Sequence, residues 1–126
     1  MKRVVIAVAI LVLIPALILL DQLYVGRSTR QLSDMLAQAE QYEQQKNPSA
    51  ARKTVIQFNT EWRRRDEVLS TFIRHGELEP VNQTAARLLP QLENDDDSGF
   101  FSDCEEIRTQ LEHIRKSESI SIDNVF

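Results

Sequence analysis

Residues 51–72 read ARKTVIQFNTEWRRRDEVLSTF, and the spacing of their apolar members decides the fold class. Ala51, Val55, Phe58, Trp62, Leu69 and Phe72 follow one another at alternating steps of four and three, interrupted only by Arg65. A helix turns once in 3.6 residues, so these positions form one apolar stripe along one helix, whereas a half-buried strand would alternate every second residue. Arg65 lies on that stripe and should either snorkel to water or pair with a carboxylate.

The same spacing recurs on both sides. Upstream, Val25, Leu32, Met35, Ala39 and Tyr42 share a stripe with Ser28 filling its gap; downstream come Leu78, Val81, Ala85, Leu88 and Leu92, then Phe100, Cys104, Ile107, Leu111 and Ile114. Short connections between four such segments predict an all-α fold, an up-and-down antiparallel bundle of about four helices. The punctuation agrees: Asn47-Pro48 supplies an N-cap and a first-turn proline, Gly76 after His75 suits a left-handed helix end, Pro80 a restart, and Ser102 with Glu105 the spacing of a capping box. Pro90 falls inside the third segment, which is therefore expected to be short or bent.

Scarce glycine and proline and few aromatics disfavour a many-turned β domain, and a lone cysteine excludes an internal disulfide framework. Charge is divided along the chain. The second segment is net basic through Lys46, Arg52, Lys53, Arg63, Arg64, Arg65 and Arg74, whereas everything from His75 onward is acidic, which predicts complementary pairing between them.

Ahead of the bundle, Val4 to Leu20 read VVIAVAILVLIPALILL, an unbroken apolar run of 17 residues, at the short end of the roughly 17 to 25 that span a bilayer core. A cleaved signal peptide is the rival reading, but the run exceeds the usual h-region and no small-residue pair precedes a cut. The sequence is therefore expected to comprise a leader and transmembrane anchor (1–25), a bundle (26–116) and a tail (117–126) in which Ile120 and Ile122 alternate with serines. Lys2 and Arg3 leave the N-terminus cytoplasmic and the bundle extracytoplasmic by the positive-inside rule. Gly26 is the only weak break between anchor and bundle.

Candidate chemistry is thin. Arg63, Arg64 and Arg65 are flanked by Glu61, Asp66 and Glu67 in a chain of net charge −4, which reads as a solvated helix face and not a nucleic-acid patch. His75 and Glu77 form an H-x-E pair without the third ligand or the i, i+4 spacing of a zinc site. Asn94, Asp96, Ser98, Gly99 and Glu105 match a calcium loop in spacing, but position one is normally Asp and no second hand exists to pair with it. Asn82-Gln83-Thr84 is a glycosylation triplet inside an expected helix. Cys104 sits on an apolar stripe as a buried thiol. No nucleophile–base arrangement or phosphate-binding glycine loop is present, so no enzyme, cofactor or metal is expected.

Trp62, the His75-Gly76-Glu77-Leu78 turn, the Leu/Ile-patterned last helix through Leu111 and Ile114, and the closing Ile122-Asp123-Asn124-Val125-Phe126 together resemble the family called domain of unknown function 4363. The resemblance implies a small single-pass bacterial membrane protein with a helical extracytoplasmic region and no assigned activity. On it, Trp62, His75, Glu77 and Asn124 map onto the family's recognisable positions, while Gly76 and Pro80 make the turn more broken than the family pattern. The expected function is a structural or protein-interaction module whose partner is another membrane protein; the alternative is a sensor-like helical domain binding a small molecule or a metal ion.

Overall fold

The computed structural model describes residues 1–71 and 73–125, with side chains as far as Ser117. Its elements are α1 (Lys2–Gln44), α2 (Pro48–Leu69), α3 (His75–Ala85), α4 (Leu88–Glu93) and α5 (Asp97–Val125), with no strand among the described residues. The expected helical bundle forms, and its third member is divided into α3 and α4. α2 packs along α1, α5 packs against α1, α3 and α4, and α4 closes on α2.

α1 stays helical through Pro15 and Gly26, so its 43 residues rise about 65 Å as one rod. No residue before Val25 is buried, while Val25, Leu32, Leu36 and Ala39 enter the core. Leu36 takes the place expected for Met35, which packs at the core edge with Tyr42, because the 3.6-residue period carries the buried line from Leu32 to Leu36. The stripes of the other helices are buried as their spacing implies, with Phe58, Leu78, Leu88, Phe100 and Ile107 all at 0% exposure. Phe72 lies outside the described residues, and Ile73, off the predicted stripe, enters the core just beyond the end of α2.

Two turns share one design. Lys46 at φ 58° and Asp95 at φ 55° each hold the left-handed conformation just past a helix. The next residue's N–H then reaches back to a carbonyl inside the helix, Asn47 to Tyr42 at 2.9 Å and Asp96 to Gln91 at 2.8 Å. That residue also caps the following helix: Asn47 Oδ1 accepts from the Ala50 N–H at 3.3 Å and Asp96 Oδ1 from the Gly99 N–H at 3.0 Å. One asparagine or aspartate thus ends one helix's unsatisfied carbonyls and begins satisfying the next helix's amides.

The structure corrects several sequence readings. α5 starts at Asp97, so Ser102 and Glu105 lie inside it and make no capping box; Asp96 is the cap. Gly76 is not a left-handed stop, since no glycine has positive φ and α3 already begins at His75 behind the extended Arg74. Pro80 sits within α3, and the carbonyl it leaves without an intrahelical donor is that of Gly76, an exposed residue of the first turn. The helix break falls at Ala86 and Arg87, which makes Pro90 the third residue of α4, a position whose N–H has no intrahelical acceptor in any helix. The predicted charge pairing of α2 with the acidic half reduces, among the described residues, to Arg52 with Glu93 at 3.5 Å, because α2 lies against α1 and not α5.

Candidate functional site

Trp62 is buried on α2 at 3% exposure, and its indole N–H leaves the core to meet Asn82 Oδ1 on α3. Asn82 in turn donates from Nδ2 to Glu79 Oε2 at 3.3 Å, and the same carboxylate oxygen lies 3.3 Å from His75 Nε2. A polar chain therefore runs from a core tryptophan through an amide and a carboxylate to an exposed imidazole. The helical start at His75 makes this chain: it sets His75 and Glu79 one turn apart, and Glu79 and Asn82 three residues apart on the same face. Two residues singled out by the sequence, Trp62 and His75, are thus joined through Asn82, read from the sequence only as part of a glycosylation triplet, and Glu79, which the sequence reading had not assigned to any site. Glu77 stands apart on the first turn of α3, its N–H bonded to the Arg74 carbonyl at 3.0 Å. The side chain of Asn124 lies outside the described residues.

Asn82 is consumed by this chain on both its amide atoms, which leaves its triplet a structural element of α3. What the chain supplies is orientation. It fixes the roll of α3 on α2 through a buried donor that finds a matched acceptor, and the exposed His75–Glu79 pair at its far end adds only a weak ionic contact.

A second cluster ties the α3–α4 break to α5. Asp103, 8% exposed, accepts from Arg87 Nε at 3.0 Å and Nη2 at 3.2 Å and from Gln91 Nε2 at 2.7 Å. The Arg87 guanidinium, with help from Gln91 and against the cost of burial, holds the Asp103 carboxyl below the usual carboxylate range. Beside it, Arg108 bridges Glu40 of α1 at 3.0 Å and Glu105 of its own helix. Cys104 lies wholly buried behind them, and burial, reinforced by the Glu40 carboxylate, pushes its thiol pKa well up. A thiol so placed is a packing group and not a nucleophile.

Arg65, the charge on the α2 stripe, resolves in an unforeseen way. Its guanidinium donates to Ser28 Oγ and to Gln31 Oε1, both at 2.6 Å, and lies over the Tyr24 ring, with Glu61 at 3.6 Å. The serine that interrupts the α1 stripe and the arginine that interrupts the α2 stripe are each other's partner. Two matching gaps in two apolar stripes were the available signal.

Asp96, Ser98, Gly99 and Glu105 belong to the cap and body of α5, a geometry in which they cannot wrap a cation as a calcium loop does. No group of three or more potential metal ligands gathers among the described residues. Pro48, Arg52, Ile56, Leu92 and Glu93 line an open groove of 660 Å³ between α2 and α4.

A long N-terminal helix, apolar and exposed in its first half, that becomes the first member of an antiparallel bundle joined by polar clamps defines a class of protein by architecture alone. The sequence model for the domain of unknown function DUF4363 matches residues 19–125, and the chain belongs to that family. The match includes Trp62, His75, Glu77 and Asn124 and begins at Leu19, near the end of the apolar run. No curated protein and no solved structure matches the chain.

Proposed function

We infer that the chain is a membrane-tethered helical module that works by contact with another membrane protein, its N-terminus cytoplasmic and its bundle extracytoplasmic. The observation that carries this reading is the division of α1. The helix is long and apolar enough to cross a membrane, and none of that apolar stretch is buried within the molecule, with Val4, Leu11 and Leu20 all exposed above 60%. A contiguous apolar surface of this extent calls for lipid or a partner. From Val25 onward the same helix is the bundle's first core member, so bundle and anchor have no flexible joint between them. The polar clusters described in the bundle hold helices together, which supports a role in recognition.

Fractionation of cells expressing the tagged chain tests the anchor: the intact-mass protein should stay with membranes through a carbonate wash. A soluble protein, or one shortened by loss of the apolar run, would end this reading. Contact is tested with a photo-crosslinking residue at Ile56 or Val68, which among the described residues are the two large apolar side chains of the bundle proper that are exposed, at 45% and 44%. A discrete heavier adduct is the expected product, and irradiation that yields only the uncrosslinked chain argues against a partner.

A further inference from the structure

Between α1 and α5 lies a polar pocket of 440 Å³ lined by Gly26, Thr29, Arg30, Ser33, Glu112 and Arg115. We propose that it is a receptor for the phosphate of a phospholipid headgroup in the leaflet next to the bundle; this rests on the membrane reading of α1 given above.

Three features of the pocket point to a phosphate. The first is its donor set. Arg115 gives Nε, at 3.1 Å, and Nη2 to the two oxygens of Glu112, which clamps the guanidinium plane in place and leaves its Nη1 protons and one Nη2 proton unused by that clamp. Arg30 comes from the opposite wall, with no carboxylate partner among the described residues. Two guanidiniums against one carboxylate leave a net positive pocket, and the planar fork of arginine matches phosphate oxygens. The half-buried Ser33 hydroxyl adds a further donor. Thr29 is already committed to the Gly26 carbonyl at 3.1 Å and shapes the wall instead.

The second feature is height. At 1.5 Å per residue, the apolar run from Val4 to Leu20 covers about 25 Å, and the charged Asp21 marks its outer limit. Gly26 then stands roughly 9 Å beyond Leu20 and Arg30 roughly 15 Å, so the pocket opens at the outer edge of the headgroup layer, toward which the Arg30 side chain leans. The third is direction. Side chains on a helix lean toward its N-terminus, so Arg30 on α1 leans back toward the membrane while Arg115, on the oppositely running α5, leans away from it onto Glu112. Both line the same pocket from its two walls. Tyr24, just below, supplies the interfacial aromatic.

The test uses the full chain purified in mild detergent with phosphatidylglycerol, with bound lipid read by native mass spectrometry. Gly26→Leu fills the pocket from a position where an added Cβ meets nothing within 4 Å, and circular dichroism of the variant checks that the bundle stays folded. Arg30→Gln removes one guanidinium. Wild type should retain phosphatidylglycerol at least tenfold better than either variant, and Arg115→Lys should retain an intermediate amount. Equal retention by all four proteins overturns the proposal. A parallel arm adds millimolar inorganic phosphate to lipid-free protein: a thermal shift that Gly26→Leu abolishes, with no lipid retained by wild type, assigns the pocket to a soluble anion and overturns the lipid source. Membrane fractionation of the same four proteins separates the two readings, since wild type that is membrane-bound but retains no lipid refutes the pocket alone, and wild type that is soluble refutes the anchor.

Discussion

Trp62 and Asp103 are buried members of the inter-helix clamps, and each makes a checkable demand. Trp62→Phe keeps most of the ring's apolar bulk but leaves Asn82 Oδ1 without its donor, so it should cost about 1 kcal/mol in a denaturant titration, against about 3 to 5 for Trp62→Ala. A Trp62→Phe loss near zero would mean that the indole N–H contributes nothing. Asp103→Asn should lower stability at neutral pH by about 1 to 2 kcal/mol, because the bonds from Arg87 and Gln91 are made to a carboxylate. The pH dependence has a definite sign. The folded pKa of Asp103 lies below its ordinary 3.8, so its contribution is complete above 3.8 and fades as pH falls further through the folded value. Wild type and variant should therefore converge only below that pH; a gap that persists there would locate the cause elsewhere. The burial of Trp62 was legible in its spacing, but its partner was not. Asn82 is recognised only once two helices are laid together, and a triplet that looks like a sugar acceptor gives no hint of an indole facing it.

At the scale of elements, the turns after α1 and α4 place non-glycine residues at left-handed positions. Lys46→Gly should relieve that strain and raise stability by about 0.5 to 1 kcal/mol, net of the extra entropy glycine loses on folding. Thermal melts that show Lys46→Gly lowering stability would mean the lysine side chain has an unrecognised role. The cap of α5 gives a coupling test. A Cβ on Gly99 would collide with the Asp96 carboxylate, so Gly99→Ala should cancel its own gain in helix propensity by expelling the cap. In an Asp96→Ala background the same substitution should stabilise by about 0.5 to 1 kcal/mol; strict additivity in the double-mutant cycle would contradict the contact. Helix interiors were plain in the sequence because periodicity sums over many residues. Helix ends were not, because each turns on one or two bonds: Gly76 has the composition of a stop yet lies in a first turn, and Ser102 and Glu105 have the spacing of a cap yet lie nearly two turns too late.

The whole molecule divides into a rod and a bundle that share a helix but not a core. Because no residue before Val25 is buried, removing Lys2 to Leu20 should leave the bundle's unfolding free energy unchanged within about 0.5 kcal/mol, measured by circular dichroism with both proteins in the same detergent. A larger loss would show that the apolar half packs on the bundle. Sequence alone separated these two parts, since an all-round apolar run and a one-sided stripe are different patterns. It also left Gly26 as the only weak break between them, and the helix passes without a hinge through both Gly26 and Pro15.

That missing hinge makes angle, as well as height, part of what α1 sets. Each alanine inserted after Leu20 lifts the bundle by about 1.5 Å and swings it about 100° around the span's axis. If the bundle meets a partner held in the same bilayer, contact should not decline steadily with insertion length. It should vanish with two added residues, which turn the bundle nearly backwards, and return with four, which bring it almost full circle about 6 Å higher. Crosslinking yield plotted against insertion length would then trace the helical repeat, as a key turned in a lock engages once per revolution.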